Sequence, residues 1–227
     1  MDSKLAVMSV FLMLSGSDEP PKRAAELAAL KPFAGLVGEW KGTGQPQRGS
    51  ARGAWTESAD WAWKLTNESA CLAYSSPKGK YLRSAILRPA KVNGEFVLDA
   101  VLADGSKRAF SGKIGVRGTL ILTPEAPVDS GLAKVTITPL HDTRFLMLLE
   151  DDKTTRLGEL GFTRQGVAFA AGDASPVCIV TEGRGTIAVS HKGKTYYFCC
   201  SGCKDLFKDD PEGVLAEANR RAKAKAK

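Results

Sequence analysis

Residues 95–114 read EFVLDAVLADGSKRAFSGKI and contain two strand-like segments on either side of an Asp-Gly pair. The segments 95–103 and 107–114 are short and are bounded by turn signals, which favours strands over helices. Asp104-Gly105 between them is a strong signal for a tight hairpin turn. We therefore expect two neighbouring antiparallel strands in this part of the chain.

The same pattern recurs over most of the first two thirds of the chain. Further turn signals follow at Pro77-Lys78-Gly79-Lys80, Asn93-Gly94 and His141-Asp142. A helix is expected over residues 22–30, before the strands begin. The strands are expected at residues 38–44, 51–65, 70–75, 81–88, 95–103, 107–114, 119–123, 133–139, 144–150 and 157–163. Ten strands joined by short turns predict an antiparallel meander closed into a barrel, because closure removes exposed edges. The fold class is mainly β, and α+β overall.

The start of the first strand carries a family resemblance. Residues 36–42, LVGEWKG, resemble the Gly-x-Trp opening of lipocalin-like barrels, which include exported bacterial domains of uncharacterised function. The resemblance implies a barrel domain over residues 22–165 whose interior can take a small apolar ligand. The four tryptophans, Trp40, Trp55, Trp61 and Trp63, could line such a pocket. We favour the reading that they fill the barrel, because aromatic side chains bury large areas.

Four of the five cysteines lie close together near the end of the chain, at Cys178, Cys199, Cys200 and Cys203. A hairpin can return Cys178 to the side of Cys199. A helix that begins at Cys199 places Cys203 on the same face, four residues later. Three converging thiolates favour a thiophilic ion such as zinc or copper. The fifth cysteine, Cys71, is expected to be a small buried residue in a strand.

A closed tetrahedral zinc site needs a fourth ligand, and the candidates are His191, Cys200 and a water. His191 is a candidate because histidine is a common metal ligand, although it falls in a polar stretch expected to form a hairpin turn. Cys200 is expected to point away from Cys199 on any regular element and to be a packed or free thiol. Two other readings stay open. Cys200 and Cys203 form a C-x-x-C redox motif, although no βαβ unit precedes it, and the cysteines of an exported chain can form structural disulfides.

The cysteine region resembles the YHS domain, one of the TRASH-like metal-binding cysteine modules. The residues that carry the resemblance are Pro176-Val177-Cys178, Gly193 to Cys199, Gly202-Cys203-Lys204, Phe207 and Asp210-Pro211. It covers residues 174–219 and implies metal binding at Cys178, Cys199 and Cys203. Family members are associated with copper, zinc and other heavy metals and are often appended to transporters, sensors or exported proteins. Ile179-Val180 stands where Gly-Met is frequent in the family, which leaves the metal open.

The expected module is a small ββα(α) unit. Residues 186–190 and 195–198 form its hairpin, and Cys199 begins a helix that carries Cys203 and Phe207 on one stripe. Asp210-Pro211 caps a second helix that ends near residue 222. A unit of about 45 residues has too little core to be secure alone, so metal binding is expected to be coupled to its folding.

The two ends of the chain add predictions about location and partners. A secretory signal is expected over residues 1–17, because Lys4 is followed by an apolar run at residues 5–14 and by small residues up to Ser17. The alternative is a frayed or buried N-terminal helix. This run of ten residues is too short to span a membrane, and no apolar run elsewhere is long enough. The formal net charge is +7, and five positive charges fall in residues 220–227, expected to be a basic disordered tail. No aromatic residues are interleaved there, which speaks against nucleic acid as a partner.

These patterns predict a protein exported to the periplasm or cell envelope that binds, buffers or delivers a thiophilic metal ion. A metal transporter or another envelope protein is the expected partner. The alternative is a carrier of a small apolar ligand in the barrel, with the cysteine module as a structural staple. We do not expect an enzyme, because the chain has only His141 and His191 and lacks nucleophile-elbow, phosphate-loop and dinucleotide motifs.

Overall fold

The computed structural model of the chain describes residues 22–92, 94–165 and 176–225. Three predictions fall outside these residues: the signal at residues 1–17, the Asn93 position of one turn, and the last two residues of the basic tail. Residues 166–175, between the barrel and the cysteine module, also lie outside them.

The N-terminal part is a closed barrel of ten antiparallel strands, as the turn signals predict. Helix α1 (Lys22–Leu30) and a 3₁₀ segment (Lys31–Leu36) precede it. Each strand pairs with its neighbours in sequence, and the barrel closes where β1 pairs with β10. The strands are β1 (Gly38–Gln45), β2 (Trp55–Leu65), β3 (Ala70–Ser75), β4 (Leu82–Pro89), β5 (Glu95–Leu102), β6 (Lys107–Ile114), β7 (Leu120–Pro124), β8 (Lys134–His141), β9 (Arg144–Glu150) and β10 (Arg156–Arg164).

Strand β2 begins later than predicted. Residues 51–54 form a turn in which the Ala54 N–H donates to the Ala51 carbonyl at 3.1 Å. Gly53 adopts a φ of +73°, which glycine tolerates and a strand does not use. The predicted strand start at residue 51 is therefore wrong, because residues 51–54 form a turn and β2 begins at Trp55.

Aromatic side chains pack together inside the barrel. The rings of Trp40 and Phe145 meet edge to face with centroids 4.8 Å apart, and Trp61 and Tyr74 lie 5.1 Å apart. Trp63 belongs to the same buried cluster, and Trp55 packs against it. These contacts are those expected of tryptophans that fill a barrel rather than line an open pocket.

A half-buried arginine, Arg164, lies at one end of the barrel. The Arg164 guanidinium donates hydrogen bonds to the carbonyls of Gly35, Val37 and Asp142. It also lies 4.3 Å from the centre of the Trp40 ring. Arg164 thereby joins the last barrel strand to the 3₁₀ segment and to the turn between β8 and β9. The sequence pattern did not single out this residue.

The C-terminal module is a hairpin followed by two helices, as predicted. The hairpin consists of β11 (Ile187–His191) and β12 (Lys194–Phe198), and the helices are α2 (Ser201–Asp209) and α3 (Pro211–Lys225). The Asp210 carboxylate accepts a hydrogen bond from the Gly213 N–H at 2.9 Å, which is the expected cap of α3.

Two details of the helices differ from the prediction. Helix α2 begins at Ser201, two residues after Cys199, and α3 continues to Lys225, so residues 220–225 are helical rather than disordered. Alanine, lysine, arginine and glutamate dominate α3, and these residues favour helices. Arg221 also pairs with Glu217 at 2.9 Å and donates to the Ile179 carbonyl, which holds this end of the helix on the module.

The module rests on an unpaired edge of β2. Strand β1 pairs with β2 only as far as the Gly38–Trp61 pair, whereas β3 continues to Leu65. Helix α2 packs where β1 has ended, and the Trp63 N–H donates to Cys200 Sγ at 3.3 Å. The module therefore provides a partner for a backbone group that β1 leaves open.

A second contact joins the first and last helices. Arg23 of α1 forms an ion pair with Glu217 of α3, and both side chains are largely buried. In the part of the chain that the structure describes, no helix has both the length and the apolar character to cross a membrane.

Candidate metal centre

Three buried thiols meet at one point of the C-terminal module. The Sγ atoms of Cys178, Cys199 and Cys203 all lie within 4.8 Å of one another. The Sγ atoms of Cys199 and Cys203 are separated by 3.5 Å. Cys199 follows β12 and Cys203 lies in the first turn of α2. The structure thus brings together the three cysteines for which the spacing predicted convergence.

The loop before the hairpin holds Cys178 in place through its backbone. The Cys178 N–H donates to the Gly183 carbonyl at 2.7 Å, which closes a tight turn. The next residue, Ile179, donates its N–H to the Tyr197 carbonyl of β12 at 3.0 Å. Because β12 leads directly into Cys199, this bond sets the two thiols side by side.

Cys200 is a packed, free thiol, as predicted, but its side chain does not point away from the cluster. It is the N-cap residue of α2, with φ −158° and ψ 173°. Its Sγ accepts the Trp63 N–H and lies 3.9 Å from Cys203 Sγ. The expectation that Cys200 points away rests on the geometry of a regular strand or helix, and it fails because Cys200 lies at the junction of the two. Cys200 is nevertheless outside the group whose Sγ atoms are all within 4.8 Å of one another.

His191 is not brought to the thiols. It ends β11, its ring packs edge-on against Phe207 with centroids 5.4 Å apart, and its Nε2 lies 3.9 Å from a carboxylate oxygen of Glu212. Among the described residues the metal-binding group contains the three cysteines and not His191. The candidate fourth ligand thus takes part in packing between the hairpin and the two helices.

Cys71 is separate from the cluster. It lies on β3 with its side chain half-buried, and its thiol donates to the Lys64 carbonyl at 3.5 Å. The expectation of a fully buried residue is wrong, because Ala70 and Leu72 point into the barrel and the alternation of the strand turns Cys71 outward.

Hydrogen bonds among the thiols shift the pKa values of the four clustered cysteines in different directions. Bonds with Cys199 and then Cys203 lower the pKa of Cys178, and bonds with the same two thiols lower the pKa of Cys200. The bond with Cys178 is the main cause that raises the pKa of Cys199 and of Cys203. The close approach of the thiols therefore couples their ionisation, and the thiolate is the form that binds metals.

A cavity of about 790 Å³ lies between the end of the barrel and the module, with Cys199 and Cys200 in its wall. It is lined by charged side chains of both signs: Glu39, Asp60, Asp142, Arg164, Glu182 and Arg184. Burial raises the pKa of Asp60, and Cys200 and Glu39 add to this effect. Two of the four clustered cysteines, Cys199 and Cys200, therefore border a polar cavity.

The segment that holds the cluster matches a known family. Residues 175–215 match the family model of the YHS domain. This segment is a YHS domain. It contains Cys178, Cys199, Cys200 and Cys203, whereas the barrel lies outside the matched residues. No curated protein matches the chain.

The donor set of the YHS domain fits a soft metal ion. Three buried sulfur atoms within 4.8 Å of one another offer the ligands that zinc and copper(I) accept. Magnesium and calcium prefer oxygen ligands, which this group does not contain. All five cysteines are free thiols in the structure. The geometry therefore indicates metal binding.

Proposed function

We propose that this protein binds a thiophilic metal ion, zinc or copper, through Cys178, Cys199 and Cys203, and buffers or delivers it in the cell envelope. The observation that carries the proposal is the convergence of three buried Sγ atoms within 4.8 Å inside a YHS domain. The cysteines come from three separate places in the chain, a loop, a strand end and a helix, so the fold itself assembles the group.

Buffering or delivery requires that the ion can enter and leave. The cavity supports this role, because one of the three clustered cysteines, Cys199, lies in its wall. The proposed location rests on the signal pattern of residues 1–17, and cell fractionation is its test. A metal transporter or other envelope protein is the proposed partner, and binding without catalysis is the proposed role.

The carrier alternative receives less support. A ligand in the barrel needs space among the inward-facing side chains, and there the aromatic residues contact one another instead. Phe145 and Phe162 stack with centroids 4.5 Å apart, and Phe33 of the 3₁₀ segment packs against Phe96 at 5.2 Å. The contacts favour a filled core.

Zinc uptake by the reduced full chain tests the proposal. We expect one Zn²⁺ per chain, and we expect Cys178→Ser, Cys199→Ser and Cys203→Ser each to abolish stoichiometric uptake because each removes one of three ligands. Cys200→Ser and Cys71→Ser are expected to bind one Zn²⁺, since neither cysteine belongs to the group. A wild-type chain that binds no metal, or three cysteine variants that bind like wild type, would contradict the proposal.

A further inference from the structure

Cys200 lies against one of the three candidate metal ligands without belonging to their group. Its Sγ is 3.9 Å from Cys203 Sγ, whereas the group of thiols that could hold a metal consists of Cys178, Cys199 and Cys203. A metal bound by that group leaves Cys200 as a free thiol next to a ligand sulfur. A thiol in this position can form a disulfide with the ligand and so withdraw it from the metal.

The backbone between Cys200 and Cys203 forms a turn that a disulfide can close. Cys200 is the N-cap residue of α2, and its carbonyl accepts the Lys204 N–H at 3.2 Å. Cα atoms three residues apart in such a helical turn are about 5 Å apart. Disulfides join cysteines whose Cα atoms are about 4.4–6.8 Å apart. The two sulfur atoms can therefore be joined by rotation of their side chains, without movement of the helix.

Cys200 is also one of the two clustered cysteines that retain exposed surface. Cys178 and Cys203 are completely buried, whereas Cys199 and Cys200 keep 9% and 7% of their surfaces exposed. Both of these border the cavity of about 790 Å³, which opens to solvent at the exposed Arg184. Because Cys199 is a ligand when metal is bound, Cys200 is then the free thiol at the cavity wall.

Resting on the metal-binding function above, we propose that Cys200 is an oxidation site through which a peroxide triggers release of the metal. The Cys200 sulfur attacks one oxygen of hydrogen peroxide, the O–O bond breaks, and the sulfenic acid and one water are formed. Cys203 Sγ then attacks the sulfenic sulfur and leaves the metal as the S–S bond forms. The S–O bond breaks, and the departing hydroxide takes a proton from solvent to give a second water.

The two sulfur atoms together lose two electrons, which the peroxide gains. The metal keeps only Cys178 and Cys199 of its three cysteine ligands, so its affinity for the site falls and a competing ligand can take it. A disulfide can be reduced by thiol exchange, which returns Cys203 to the metal site. Oxidation at Cys200 would thus give the proposed buffering or delivery a signal for release.

Peroxide treatment of the zinc-loaded full chain, with a chromophoric zinc indicator in solution, tests this proposal. We expect one Zn²⁺ to be released for each disulfide formed. Differential alkylation followed by peptide fragmentation should identify Cys200 and Cys203 as the oxidised pair. A dithiol reductant should restore binding of one Zn²⁺ per chain, as expected of a disulfide and not of a sulfinic acid.

Cys200→Ser is expected to bind one Zn²⁺ and to keep it at the peroxide concentration that empties the wild type. Serine leaves an acceptor for the Trp63 N–H, so the variant loses the sulfur and keeps the docking contact. Uptake of one Zn²⁺ shows that it has folded. Cys71→Ser is the matched control, because it removes a thiol outside the cluster, and it should release zinc as the wild type does.

The outcomes separate this proposal from the metal-binding function. Zinc release from Cys200→Ser at the wild-type rate overturns the oxidation site, and so does a disulfide between any pair other than Cys200 and Cys203. Zinc that stays on the wild-type chain after this disulfide has formed also overturns it. An untreated wild-type chain that binds no zinc overturns the metal-binding function itself.

Discussion

Removal of the bound metal is expected to lower the free energy of unfolding of the YHS domain by about 4 kcal/mol, if the metal had been present at about a thousand times its dissociation constant. The domain is small, and much of its buried core lies next to the cysteines, at Phe198, Leu206 and Phe207. A core of this size supplies little stability alone. The barrel has its own core and is expected to stay folded.

Hydrogen exchange on the full chain with and without metal measures this effect. Amides of β11, β12 and α2 should exchange faster after chelation, while those of the barrel strands β4–β9 should keep their protection. Cys203→Ser is the control, because it lacks a ligand and its exchange should not respond to metal. Unchanged protection of the wild-type YHS domain on chelation would show that the metal does not hold the cysteines together.

Gly202→Ala is expected to destabilise the docking of the YHS domain on the barrel by about 3 kcal/mol, because overpacking of a tight contact is costly. A Cβ at this position would lie 1.6 Å from the Trp63 carbonyl oxygen. Helix α2 would therefore have to move away from β2, and the bond from the Trp63 N–H to Cys200 would be lost. Alanine favours a helix over glycine by about 1 kcal/mol, so helix propensity alone predicts the opposite sign.

Urea unfolding of Gly202→Ala and of a control variant measures the loss of stability. Hydrogen exchange of the Trp63 amide measures the loss of its bond to Cys200. Gly161→Ala in β10 is the matched control, because its Cβ would meet Leu146 at 3.7 Å, an ordinary contact. A Gly202→Ala chain that is as stable as the wild type and protects the Trp63 amide equally would mean that α2 does not rest on β2.

The barrel could be predicted because the sequence signals that specify its strands and turns are local. Short alternating segments and turn pairs such as Asp104-Gly105 mark each strand and each reversal of the chain, and closure follows from the need to cover two edges. The 3₁₀ segment and Arg164 were missed for a different reason. Their contacts join residues far apart in sequence, as in the bond from Arg164 to the Gly35 carbonyl.

The convergence of Cys178, Cys199 and Cys203 was also predictable, because a hairpin and a helix start fix their relative positions. Cys200 was misjudged because the rule of alternating side chains does not hold at an N-cap between a strand and a helix. The signal that could have corrected it is Ser201-Gly202, since a glycine in the first turn of a helix suggests a close approach of another backbone. His191 was an open candidate because a turn histidine has no sequence signature that distinguishes packing from ligation.

X-ray absorption at the zinc edge of the wild-type chain loaded with one equivalent of Zn²⁺ tests the central claim most directly. The account predicts three sulfur atoms in the first coordination shell, at Zn–S distances of about 2.3 Å. A shell of nitrogen and oxygen atoms without sulfur, or a chain that does not retain the ion, would contradict it.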